Sequence, residues 1–157
     1  MKYLFYAASL LLLPFSYIHA DEIAVTMHSL NNDGIDKAIG VILVKQTAQG
    51  LRFQPHLRNL EPGSYTFTIN ENVGCGSEYT NTGANIRGMA AGKSINQLPT
   101  INVNAQGIAD QAVDMNRLSL QDVRGRTLVL SASSNMSSNV AQGAEQRVAC
   151  GSLELHR

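Results

Sequence analysis

Residues 50–72, GLRFQPHLRNLEPGSYTFTINEN, constrain the fold more than any other stretch of the chain. Leu51, Phe53, Pro55 and Leu57 recur at every second position. Tyr65, Phe67 and Ile69 do the same after the turn signal Glu61-Pro62-Gly63. A strand sends alternate side chains to opposite faces, whereas a helix groups residues three and four apart. The segment therefore reads as two strands, each with one apolar face, and Thr66, Thr68 and Asn70 share the other face of the second. Similar runs rich in Val, Ile, Leu, Thr and Phe recur at 22–29, 38–47, 99–105, 107–114, 126–133 and 146–155, broken by Gly, Asn and Pro. About eight strands at such spacing predict an all-β sandwich or barrel. Residues 115–125 have helical spacing and allow one short helical turn. Two stretches, 72–98 and 132–145, read as long loops, which in a compact β domain are usually functional or flexible.

The first 20 residues are set apart from this pattern. Lys2 precedes the apolar run YLFYAASLLLLPFSYI, and the segment ends in Ile18-His19-Ala20. A charged start, an apolar middle and a small residue at the end form a secretory signal peptide, and the run is short and interrupted by Pro14 for a membrane span. The expected organisation is a signal peptide over 1–20 and one β domain over 21–157. Removing Lys2 with the leader leaves 11 basic against 12 acidic side chains. That balance, with no run of Lys and Arg, gives no electrostatic basis for nucleic-acid binding or for an anionic membrane surface. Export also sets the redox context. Cys75 and Cys150 are the two cysteines of the chain, and an even count in an oxidising compartment suggests a bridge, with two buried free thiols as the alternative.

No catalytic constellation stands out. No nucleophile-elbow, zinc-protease, phosphate-loop or dinucleotide motif occurs. His28, His56 and His156 each stand alone, and Met27 beside His28 faces the opposite side of its strand. Glu71, Asp110 and Asp114 are carboxylates that only a fold could bring together. Arg147 stands three residues before Cys150 in the terminal run.

Several ordered motifs give the chain a family resemblance. The stretch IGVILVKQTAQGLRFQPHLRNLEPGSYTFTINENVGCG (39–76) resembles the bacterial Cu,Zn superoxide dismutases, in which G-L-x-F-x-P-x-L-x-x-L-x-P-G leads into G-F-H-V-H-E-N-P-S-C-G. LPTINVNAQG (98–107), LSLQDVRGRTLVLSA (118–132) and QRVACGSLE (146–154) resemble later motifs of that family. The resemblance covers nearly the whole mature chain. It implies a Greek-key β-sandwich or flattened barrel with two long loops, a periplasmic location, a Cys75–Cys150 disulfide, and an anion-guiding role for Arg147.

The departures fall on the family's metal ligands. The paired copper histidines of F-H-V-H correspond to Thr68 and Asn70, and the later copper histidine corresponds to Ser131. The H-x-G-D-L-P zinc ligands correspond to Ser94 and Gln97, a second-shell aspartate aligns with Asn135, and the shortened segment 77–93 contains no histidine. Neutral oxygen donors have little affinity for copper. The expectation is accordingly a superoxide-dismutase-like protein without copper or zinc, with no catalytic residues, which acts by binding an unidentified protein or small ligand as a monomer or homodimer. The alternatives are copper handling through Met27, His28, His56, Met89 or Met136, and residual or altered dismutase activity.

Overall fold

The computed structural model describes residues 22–31, 34–70, 75, 94–132 and 146–154, without the side chains of 94–98 and 146. Residues 1–20, read as a leader, and the residues Glu71, Met89, Asn135, Met136 and His156 lie outside this set. Eight strands form: β1 (Glu22–Asn31), β2 (Gly34–Gln46), β3 (Gly50–Leu57), β4 (Gly63–Asn70), β5 (Ser94–Val103), β6 (Val113–Asn116), β7 (Thr127–Ala132) and β8 (Gln146–Ser152). One helical turn, α1 (Leu120–Val123), precedes β7. All the strand pairings are antiparallel. The order across the sheet is β5-β4-β7-β8-β1-β2-β3-β6.

That order and one short connection force the sheet to fold back on itself. Strands β3 and β4 lie near opposite edges of the sheet, yet only residues 58–62 join them. Five residues span at most about 18 Å, so the two edges must face each other. The side chains agree: the rings of Phe53 on β3 and Phe67 on β4 meet edge-to-face with centroids 5.5 Å apart. Around them a single core gathers Ile23, Val25, Ile42 and Val44 from one half of the sheet with Ile69, Ile101, Leu128 and Leu130 from the other. The result is a nearly closed all-β barrel, within the sandwich-or-barrel class that the strand spacing predicts and the form that the family resemblance implies.

Close approaches set where the seams lie. Gly40 has φ +141°, and a Cβ there would run into the carbonyl oxygen of His56 on β3. Gly151 on β8 packs against β1, where a Cβ would meet Met27 Sδ at 2.6 Å and the Thr26 carbonyl oxygen at 2.7 Å. A glycine in a strand interior often marks such contact between backbones.

Three local expectations change. Residues 94–98, read as part of a loop, belong to β5 and pair with β4. Residues 107–114 do not form a strand along their length. Ala109 makes an isolated bridge with Leu57, and pairing with β3 begins at Val113. Strand β6 thus straddles the end of that run and the start of the stretch read as helical, which also holds α1. The helix is a single turn, closed by a capping box in which Ser119 Oγ accepts from the Asp122 N–H and the Asp122 carboxylate accepts from the Ser119 N–H at 2.8 Å. Such a box satisfies two orphan N–H groups of a helix start.

Candidate functional site on the outer face of β4, β7 and β8

The inner face of β4 is filled by Tyr65, Phe67 and Ile69, all buried in the core. Alternation therefore puts Thr66, Thr68 and Asn70 on the outer face. Strand β7 is buried on both faces over all six residues. Leu128, Leu130 and Ala132 point into the core, and Thr127, Val129 and Ser131 point outward. The register then fixes the neighbours: Thr66 lies opposite Ser131, Thr68 opposite Val129, and Asn70 opposite Thr127. Opposite side chains stand about 5 Å apart at Cβ, and diagonal ones about 7–8 Å. Thr68 and Ser131 are thus diagonal neighbours. Asn70 lies one further same-face step, about 7 Å, along β4. On the other side of β4, Gln97 pairs with Thr68 and Ser94 with Asn70. The fold brings all five of these positions to adjacent strands.

Burial makes this face unusual. Asn70 and Ser131 are each 5% exposed and Thr127 is fully buried, and they are the buried polar residues among the described residues. A buried polar group without a partner costs free energy, so such groups are normally hydrogen-bonded. Thr66 and Thr127 complete this polar row. Thr66 is visible in the alternation of β4, whereas Thr127 is found only through its register with Asn70.

A bulge delivers the charge. Leu130 pairs with Ala149 but Ser131 pairs with Arg147, so one residue of β8 is skipped. Bulges of this kind re-aim side chains. Here the shift puts Arg147 on the same face as Cys150, opposite Ser131. Arg147 is the one charged residue of β4, β7 and β8, and it already engages a partner of its own.

Below this row sits the disulfide. Cys75 and Cys150 are bonded, with their Cα atoms 6.0 Å apart, which resolves the choice between a bridge and two free thiols. The bridge packs on Val129 and Leu30 in a cluster separate from the main core. His28 lies opposite Cys150 on β1, while the Met27 side chain is buried inside the barrel. The two do not share a face.

A row of ionic groups crosses the other half of the sheet. Glu22, Lys45, Arg52 and Asp114 form a row across β1, β2, β3 and β6. Lys45 contacts Glu22 at 2.9 Å, and Arg52 forms a two-pronged pair with Asp114 at 2.7 and 2.9 Å. The hydrogen bonds from Arg52 hold the Asp114 carboxyl below its ordinary range. A shallow pocket of about 300 Å³ beside this pair is lined by Thr47, Gln49, Arg52 and Asp114 among others. Its two charges satisfy each other, which takes Asp114 out of any carboxylate dyad. The Asp110 carbonyl accepts a bond from Gln54.

The donor chemistry of the outer face does not suit copper. Thr68, Asn70 and Ser131 offer neutral hydroxyl and amide oxygens, where imidazole nitrogen is the donor that suits it. Among the described residues no three His, Cys, Asp or Glu side chains come together as a metal site. No helix among them is long and apolar enough to cross a membrane.

Residues 38–153 match the family described as copper/zinc superoxide dismutase. Superoxide dismutase [Cu-Zn] 2 of Salmonella typhimurium is 28% identical over 151 residues, covering 83% of this chain and 87% of the relative. Superoxide dismutase [Cu-Zn] of Pasteurella multocida is 30% identical over 141 residues, covering 76% and 75%. The solved structure of the monomeric copper, zinc superoxide dismutase from Salmonella enterica superposes with a TM-score of 0.66 at 24% identity, covering 85% of this chain and 99% of that one. These findings correct the expectation that copper and zinc are absent. The family and these relatives are named for both metals. By the span of the family match and the shared barrel, the chain belongs to the copper/zinc superoxide dismutase family.

Proposed function

We propose that this chain is an exported, periplasmic member of the family that acts by binding a ligand or partner at the outer face of β4 and β7, not by cycling superoxide at a copper ion held there. The observation that carries this reading is the side-chain chemistry of that face. Thr68, Asn70 and Ser131 stand where the family motifs carry copper-binding histidines, and Ser94 and Gln97 stand where they carry zinc ligands. Hydroxyl and amide oxygens compete poorly with water for Cu²⁺. Any copper or zinc that the chain takes is therefore held by other donors. The leader-like residues 1–20 and the bacterial origin of the relatives support export.

The test uses the chain without residues 1–20, loaded with copper and zinc and desalted. Bound metal is measured by mass spectrometry and dismutation by the xanthine oxidase–cytochrome c assay. The expected result is no rate above the buffer control, and a metal content that the double variant Thr68→Ala, Ser131→Ala leaves unchanged. A rate that scales with bound copper and drops in that variant overturns the proposal. The names of the relatives favour a second reading, a working copper–zinc dismutase using other ligands. A rate that scales with copper and survives in the variant supports that reading instead.

A further inference from the structure

We draw no further inference here: the strongest candidate, the row of buried polar side chains Asn70, Thr127 and Ser131 on the outer face of β4 and β7, belongs to the site already described, and nothing in the structure shows what covers it.

Discussion

Replacing Cys75 and Cys150 together with alanine removes the one covalent tether between the segment after β4 and the last strand. The bond closes a loop with a sequence separation of 75. In the chain-entropy model, restricting the denatured chain over such a loop stabilises the fold by roughly 4.5 kcal/mol at 25 °C. The sulfurs also pack against Val129 and Leu30, so lost packing adds to the effect. For a chain of this size each kcal/mol moves the midpoint by about 3 °C, which gives a fall in Tm of roughly 13 °C. Whole-domain stabilities are about 5–15 kcal/mol, so the variant forfeits a third or more of the total. Urea unfolding followed by far-UV circular dichroism reads this directly, with the oxidised chain, the reduced chain and the alanine variant in parallel. The variant and the reduced chain are expected to share one lowered midpoint. The wild-type slope is expected to be somewhat smaller than theirs, because the tether keeps its denatured chain more compact and less surface is exposed. Coincident midpoints for variant and oxidised wild type would refute the reasoning, since the tether would then restrict nothing.

Other perturbations test the core, the cap and the phenol. Phe67→Ala should cost about 3–5 kcal/mol by opening a cavity against Phe53, and Phe67→Leu much less, both read by denaturant midpoints. Ser119→Ala should cost about 1 kcal/mol at neutral pH by removing the helix cap. Hydrogen bonds from Ser119 hold the Asp122 carboxyl below its ordinary range. Its contribution is therefore present above about pH 4 and lost as pH falls through the lower folded value, and thermal melts in acid should show that loss flattened in the Ser119→Ala variant. Burial first, and then the Glu61 charge, push the Tyr65 phenol up. Its contribution is complete below about pH 10 and lost as pH rises through the raised value. Melts between neutral and strongly alkaline pH should show Tyr65→Phe without that step, though weakened throughout by loss of the 2.7 Å bond to the Glu61 carbonyl.

The legible parts of the fold are those where one face is core. Strands β3 and β4 alternate because each presents one side to the barrel interior, and period-2 patterning alone places Thr68 and Asn70 together. Residues 94–97 carry no such pattern. Their sequence, Ser-Ile-Asn-Gln, becomes strand through the ladder offered by β4, a tertiary effect that local propensity does not report. Strand β6 is misplaced for a related reason: it is four residues long, at a sheet edge, with no residue fully buried, so only Val113 and Asp114 fall within the run read as a strand. Two facts about the site also depend on register. Ser131 faces Thr66 because β4 and β7 pair with that offset. Arg147 faces outward with Cys150 because of a bulge, whereas strict alternation from Cys150 would turn it inward.

The position of β8 in the sheet sets the order in which the molecule can be completed. Strand β8 is the last described strand in sequence, yet it lies between β7 and β1. Without it the remaining strands form two separate ribbons, β5-β4-β7 and β1-β2-β3-β6, with unpaired edges where they should join. A chain emerging from its N-terminus during synthesis can thus assemble both ribbons and still lack the strand that seals them. Cys150 arrives on that same strand, so the disulfide cannot form any earlier. Closure of the sheet waits for this strand, and pairing partners this far apart in sequence makes that closure slow by topology.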